Sequence, residues 1–258
     1  MKKYLSVYRE FFKSSLSEDL SFRANFTLQF LMNASFIGVY FFTSVFIFNH
    51  VEQIGIWDKD QFLFFLCFAL FVDQIHYLIF SFNFWIFSDE VRLGSFDFTL
   101  LKPYPSLFIT FFKRLATPGV FTVFLAFYML IYFGLKANLS AWMWLSLPFC
   151  VVLSLALLLS IEVLISIFNF FTIEGIGINQ ARLQVQQLCR WPDFIYKNPA
   201  RLWLIPFLAI TSIPVRYLLD FSYWTWLAIL SAVVFLFWFA IIFFIWPKAL
   251  SFYESASS

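Results

Sequence analysis

Charged residues are scarce in this chain, and their scarcity argues against a soluble globular protein. Only 12% of the 258 residues are Asp, Glu, Lys or Arg, about half the fraction that soluble domains usually carry. Histidine and cysteine are also rare, with 2 and 3 residues. Cys67, Cys150 and Cys189 lie far apart and form no paired motif, so we expect neither a disulfide framework nor a metal site.

Apolar residues take the place of the missing charges. The chain is 62% hydrophobic and 24% aromatic, and it contains 41 phenylalanines. Apolar runs long enough to cross a bilayer, about 20 residues each, recur along it. The sequence therefore predicts an all-α integral membrane protein.

Hydropathy predicts one transmembrane domain over residues 21–258, preceded by an interfacial helix over residues 1–20. The clear spans are expected at about residues 25–48, 61–87, 106–135, 141–171 and 223–246. In the first 20 residues, apolar side chains recur every four positions beside a basic flank: Tyr4, Tyr8, Phe12 and Leu16. Such a helix is suited to lie on anionic membrane lipids.

The distribution of lysine and arginine predicts the orientation. With the N-terminus inside, most basic residues near span ends are cytoplasmic: Lys2, Lys3, Arg9, Lys13, Arg23, Arg92, Lys102, Lys113, Arg114 and Lys248. Only Lys59 and Lys136 fall in the clear outer loops. By the positive-inside rule, both termini and residues 89–105 should face the cytoplasm.

The segment 172–220 allows two interpretations. Residues 174–191 are rich in glutamine and arginine, and residues 202–219 are apolar but contain Pro206 and Pro214. In the first interpretation the polar part is a cytoplasmic loop and the apolar part is the fifth span. In the second, the polar part is a fifth span buried in the bundle, and its follower is a re-entrant hairpin, which is tolerated where protein covers it. The charge rule favours the first.

The polar segment at residues 89–105 is the best indication of function. Gly94 and Ser95 can start a short helix over about residues 92–103, and Pro103 and Pro105 stop it. Its charged and apolar side chains resemble the rim and anchors of a docking surface. The alternative is a plain interfacial helix joining two spans. The candidate docking residues are Glu90, Arg92, Gly94, Phe96, Asp97, Leu100, Leu101, Lys102 and Pro103.

Ionisable residues within the spans form a second candidate site. Asp73 and His76 lie one turn apart in span two, and Glu162 lies in span four. Because charges at bilayer depth are costly, such residues face the bundle or a wet cavity. They could form a hydrogen-bonded cluster between helices, which we favour, or a proton relay. Four further polar residues could line a pathway for an amphipathic substrate: Gln180, Arg182, Gln184 and Gln187.

Three blocks of sequence resemble the bacterial type-2 ABC transporter permeases. The first is Gly94-Ser95-Phe96-Asp97 through Lys102-Pro103, and the second runs from Arg190-Trp191-Pro192 through Ile213-Pro214. The third is the tail from Tyr253 to Ser258, although the Gly-Leu that usually precedes the tyrosine is replaced here by other residues. The blocks occur in the expected order over most of the chain.

The resemblance implies a six-helix transmembrane bundle of the type-2 ABC exporter kind. It favours the second interpretation, with a fifth span at 174–191 and a re-entrant hairpin at about 199–219. It also implies that residues 92–103 form a coupling helix for separate ATPase subunits. The chain has no Gly-x-x-x-x-Gly-Lys-Ser/Thr loop, so ATP and Mg²⁺ should bind the partner ATPase and this chain should need no cofactor.

Further expectations follow from the same resemblance. The chain should be a non-enzymatic permease subunit in a bacterial inner membrane, paired with a second permease copy or a homologous permease. It should export a lipidic or amphipathic substrate and bind no nucleic acid. One alternative is an ion-coupled secondary transporter. Another is an integral membrane enzyme that uses Asp73, His76 and Glu162.

Overall fold

The computed structural model describes residues 2–172, 175–196 and 200–253, and at residues 2 and 200–206 it describes the backbone alone. Twelve α-helices run through these residues: α1 Lys2–Ser21, α2 Arg23–Ile47, α3 Lys59–His76, α4 Phe82–Arg92, α5 Asp97–Leu100, α6 Ser106–Phe112, α7 Gly119–Lys136, α8 Ala141–Ser166, α9 Gly175–Leu188, α10 Ala200–Leu219, α11 Trp224–Ala240 and α12 Trp246–Leu250. Strands β1 (Gln53–Ile54) and β2 (Trp57–Asp58) pair antiparallel. The predicted all-α class is confirmed.

Five helical stretches are long and apolar enough to cross a membrane. Span one is α2. Span two is Lys59–Arg92, in which a π-helical turn at Tyr77–Ser81 joins α3 to α4. Span three is α7, span four is Ala141–Phe170, and the last span is Phe221–Leu250. The chain is thus a multi-pass membrane protein.

Local sequence signals explain where span two begins. The Asp58 carboxylate accepts a hydrogen bond from the Gln61 amide at 2.9 Å, and the Gln61 side chain accepts one from the Asp58 amide at 3.3 Å. This reciprocal pair is a capping box, which satisfies two backbone donors at the helix start. The helix therefore begins directly after the β-turn hairpin.

Spans two and four form the centre of the bundle. In the most apolar 18-residue stretch of each of these two spans, 67% of the residues are buried. The corresponding share is 11% in span one and 17% in the last span. Phe64, Phe65 and Phe68 of span two are completely buried in the main apolar cluster. Spans one and last therefore present most of their surface to the surroundings, as lipid-facing or partner-facing helices do.

Residues 106–135, predicted as one long span, are divided in the structure. Helix α6 ends at Phe112, residues 113–118 are not helical, and α7 starts at Gly119. The prediction of a continuous span is wrong here. Pro118 disfavours helical geometry at the residue before it, and Lys113 and Arg114 bring charges that are costly within an apolar helix.

Helix α1 packs along α6 through its aromatic side chains. The Tyr4 ring contacts the Tyr104 and Phe108 rings edge-on at centroid distances of 5.9 and 5.4 Å. Tyr8 packs against Phe112 one turn further on. Half of the apolar stripe predicted to face lipid therefore covers the protein itself.

The polar helix α9 and the residues after it run the length of span two. Asn179 donates to the Ser88 hydroxyl at 2.8 Å, Arg190 pairs with Asp73 at 2.5 Å, and the Phe194 ring contacts the Trp57 ring. Residues 175–194 therefore pass from the end of the bundle that carries residues 89–105, here named the basic end, to the far end beside the β-hairpin. This arrangement corresponds to the second interpretation of the segment. Its first predicted residue, Glu174, lies outside the described residues.

Helix α10 contacts the preceding segment in the far half of the bundle and not at the basic end. The Thr211 hydroxyl donates to the Cys189 carbonyl at 2.5 Å, and the Asp193 amide donates to the Ser212 hydroxyl at 3.2 Å. Its last turn brings Tyr217 beside Trp142, which follows the far end of α7. The two ends of segment 189–219 thus lie in the same half of the bundle, as in a re-entrant segment.

The predicted hairpin at about 199–219 is corrected in one respect. The described part, from Ala200 to Leu219, is a single helix that continues through both prolines. Residue 199 lies outside the described residues. Proline is tolerated in helices of membrane proteins because packing neighbours compensate for the lost backbone hydrogen bond, and α10 packs on span four.

Candidate functional site

The segment at residues 89–105 forms a compact turn at the basic end. Helix α4 ends at Arg92, Gly94 adopts a φ of +69°, and α5 covers only Asp97–Leu100. The prediction of one helix over residues 92–103 is therefore wrong. The left-handed conformation at Gly94 interrupts the helix, and glycine adopts it without steric cost. The Phe96 amide then donates back to the Glu90 carbonyl at 3.1 Å.

The apolar residues of this segment divide between an outer and an inner face. Phe98 and Leu101 are 71% and 79% exposed, and Leu93 and Leu100 are exposed beside them. Phe96 is completely buried and packs against the Phe87 ring. Phe96 is thus unavailable to a partner, contrary to its place among the docking candidates, because it anchors the turn to the bundle.

The charged residues divide in the same way. Glu90 pairs with Lys113 at 2.6 Å and accepts a hydrogen bond from the Thr99 hydroxyl at 3.2 Å, so it fixes the turn internally. Arg92 forms an exposed pair with Asp89 at 3.1 Å. Lys102 and Pro103 are exposed at the end of the segment. The surface open to a partner therefore combines apolar side chains with a basic rim.

The C-terminal segment covers the inner side of the turn. The Tyr253 ring contacts the Phe96 ring edge-on at 5.3 Å. Burial, reinforced by the nearby Asp97 carboxylate, raises the pKa of the Tyr253 phenol. Residues 254–258, the remainder of the tail that resembles the family ending, lie outside the described residues.

A closed polar cluster joins span two, span four and α9 at membrane depth. Glu162 Oε2 lies 2.5 Å from His76 Nε2, and its Oε1 accepts a hydrogen bond from Gln186 at 2.7 Å. Arg182 Nη1 donates to Glu162 Oε1 at 3.3 Å, and its guanidinium lies 4.6 Å from the centre of the Phe84 ring. All four polar side chains are buried. Three polar side chains thus contact the Glu162 carboxylate, and a buried charge requires such partners.

Asp73 belongs to a different contact from His76. Its carboxylate pairs with Arg190, which also donates to the Tyr40 hydroxyl at 3.3 Å. Asp73 is thus linked to Arg190, just after the end of α9, and through Arg190 to Tyr40 of span one. His76 pairs with Glu162 instead. The two residues therefore belong to separate ion pairs.

Three glutamines form an open polar stripe on α9. Gln180, Gln184 and Gln187 are exposed, and Ala181 is exposed among them. Spacings of four and three residues place them on one helix face. Arg182, predicted alongside them, points to the opposite face. Because α9 lies between the levels of Ser88 and Asp73, this stripe is at membrane depth, where lipid cannot satisfy amide groups.

Sequence reasoning missed several residues on the inner face of α9. Asn179 and Gln186 are buried beside Arg182, and Arg190 continues the same face. Their spacing of three or four residues is a helical period, so a second polar stripe could have been read from the sequence, but not which stripe faces the bundle. Their partners could not, since they lie on other helices, 91 to 117 positions away on span two and 20 to 24 positions away on span four.

No three His, Cys, Asp or Glu side chains lie close enough to hold a metal ion in residues 2–172, 175–196 and 200–253. Comparison with curated proteins and with solved structures gave no match. A family model described as "ABC-2 family transporter protein" does match, over residues 34–257. The match covers most of the chain and leaves out α1.

Proposed function

The chain belongs to the ABC-2 family of transporter proteins and is the membrane permease of an ABC transporter, and from this premise we propose that separate ATPase subunits drive it to export an amphipathic or lipidic substrate. The transporter contains a second copy of the chain or a homologous permease. It works in a bacterial inner membrane with the basic end in the cytoplasm, because lysine and arginine cluster at that end. The chain itself performs no chemistry.

The exposed face of residues 89–105 supports ATPase docking. Phe98 and Leu101 are mostly exposed on a turn whose other side is anchored by Phe96. A rigid turn with protruding apolar side chains and a charged rim can fill a groove on a partner without losing much conformational freedom. Movement of that partner on ATP binding would then reach span two and α6 directly.

The glutamine stripe of α9 is the observation on which the two-permease pathway depends. Exposed amides at membrane depth need hydrogen-bonding neighbours, and a second permease or a polar pathway between two permeases supplies them. Ala181, a small residue between Gln180 and Gln184, permits close approach of another helix. Amphipathic substrates suit such a seam, because the exposed Ile176 side chain lies one turn from Gln180 on the same helix.

Cysteine crosslinking tests this seam. The native cysteines are all buried, so Gln184→Cys introduces one accessible thiol and Phe235→Cys, on the exposed side of the last span, is the matched control. Mild oxidation in membranes should link Gln184→Cys to another copy. In a heterodimer, the same thiol should react with a bifunctional crosslinker and join a homologous permease. The control should stay monomeric. Equal crosslinking of both variants, or of neither with any permease, would contradict the proposal.

A further inference from the structure

The non-helical residues 113–118 between α6 and α7 lie beside the π-helical turn of span two. The Ala116 amide donates to the Leu78 carbonyl at 2.8 Å. Gly119 is pressed against the same turn, since a Cβ there would meet the Tyr77 ring at 3.0 Å. Two irregular segments of backbone thus meet within the bundle, and π-helical turns are frequent at functional sites.

Asn83 completes the contact from the side of span two. Its side-chain oxygen accepts from the Arg114 amide at 2.9 Å, and its side-chain nitrogen donates to the Arg114 carbonyl at 2.7 Å and to the Ile79 carbonyl at 2.9 Å. Asn83 is completely buried. One amide side chain therefore replaces helical hydrogen bonds at both irregular segments.

Helix α1 satisfies residues 113–118 from the other side. The Leu115 amide donates to the Ser15 hydroxyl at 3.1 Å. The Asp19 carboxylate accepts from the Thr117 amide at 3.1 Å, from the Thr117 hydroxyl at 2.6 Å and from Arg114 Nη2 at 2.6 Å. Pro118, at the start of α7, has no polar side chain. Asp19 therefore fixes the residue directly before Pro118, the N-cap residue of α7, from another helix.

The opposite end of α1 touches the segment proposed to dock the ATPase. The Tyr4 ring contacts Tyr104, and Lys3 Nζ lies 5.0 Å from the centre of the same ring. Tyr4 and Asp19 are 15 residues apart on one continuous helix, which is about 22 Å at 1.5 Å per residue. Helix α1 thus bridges the coupling segment and the start of α7 without passing through α6.

We propose that residues 113–118 are a hinge in the transport cycle, and that α1 is a strut by which movement of the coupling segment reaches α7. Asp19 is the positioning residue that joins the strut to the hinge. Backbone outside a helix can change φ and ψ without breaking a helical ladder, as hinges require. Asp19 lies outside residues 34–257, which the family model matches. The inference rests on the proposed function, because it needs an ATPase at the coupling segment.

The test uses the whole transporter, purified from native membranes with its ATPase, and hydrogen exchange measured by mass spectrometry with and without a non-hydrolysable ATP analogue. Asp19→Asn removes the charge that holds Thr117 and Arg114. Glu18→Gln is the matched control, because Glu18 also contacts Arg114 but is mostly exposed and makes no contact with Thr117. Thr117→Val removes the hydroxyl contact alone, should the Asp19 variant fail to fold.

Three results are expected. Without nucleotide, Asp19→Asn should speed exchange at residues 115–120 by about 10-fold to 100-fold, the effect of losing a hydrogen bond to a charged group. Nucleotide should change exchange at both the coupling segment and residues 113–118 in the wild type. In Asp19→Asn, and to a lesser degree in Thr117→Val, the response at 113–118 should disappear while that of the coupling segment and ATPase recovery persist.

Each of the other outcomes would contradict one part of the proposal. A normal response at residues 113–118 in Asp19→Asn and Thr117→Val would overturn the strut, as would its equal loss in Glu18→Gln. A wild type that responds at the coupling segment but not at 113–118 would overturn the hinge and leave the proposed function intact. No response at either place, or no ATPase, would overturn the proposed function and the hinge with it.

Discussion

Removing the Glu162 carboxylate is the most demanding test of the buried cluster. Glu162 is completely buried and contacts His76, Gln186 and Arg182. In the variant Glu162→Leu, the Arg182 guanidinium stays buried without its carboxylate, and two of its nitrogens, Nε and Nη2, already lack hydrogen-bond partners among the described residues. The variant should therefore be much less stable than the wild type.

The size of the effect follows from the type of contact. Removing one partner of a buried ion pair costs about 3–5 kcal/mol of unfolding free energy. For a chain of this length, that corresponds to a fall in Tm of roughly 6–20 °C. Replacing both partners with apolar residues removes the stranded charge, so Glu162→Leu combined with Arg182→Leu should recover at least half of the loss.

Thermal unfolding in detergent, followed by size-exclusion chromatography of the surviving fraction, measures this. Glu52→Gln in the exposed loop before β1 is the control and should leave Tm unchanged. A wild-type Tm for Glu162→Leu would refute the structural role of the cluster. A double variant as unstable as the single one would refute the argument that the unpaired arginine causes the loss.

Three further predictions concern the turn and α9. Gly94→Ala should lower ATPase recovery on affinity purification, because alanine at φ +69° costs about 1 kcal/mol or more; Gly177→Ala, with open space around it, should not. Phe96→Ala should lower Tm, because removing a buried phenylalanine costs roughly 3–5 kcal/mol of unfolding free energy, whereas Leu101→Ala should leave Tm unchanged and weaken ATPase binding in a pull-down. Asp73→Ala should also lower Tm, because Arg190, just after the end of α9, loses its carboxylate partner; an unchanged Tm would contradict this pairing.

Hydropathy located most of the spans because it depends on chain segments of about 20 residues, which is the scale of a bilayer. The same averaging hid the irregular residues 113–118. Pro118 and the charges of Lys113 and Arg114 were visible in the sequence, but the phenylalanines before and the apolar run after them kept the mean hydropathy high. A local reading of proline and charge would have placed the interruption.

The partners of the intramembrane charges could not be read from the sequence. Spacing alone suggested Asp73 with His76, yet their partners are Arg190 and Glu162. Which residues meet depends on how α9 is rotated against spans two and four, and hydrophobic pattern does not specify rotation for a helix with polar residues on both faces. The inward direction of Phe96 likewise depends on the end of α4 at Arg92 and on the left-handed turn at Gly94.

Affinity purification of this chain from native membranes in mild detergent, with mass spectrometry of the proteins that accompany it, tests the central claim most directly. The account predicts a stoichiometric soluble ATPase that is lost when residues 94–103 are scrambled and retained when an exposed far-end loop, residues 49–52, is scrambled instead. A folded chain that purifies alone, or an ATPase that remains bound without residues 94–103, would contradict it.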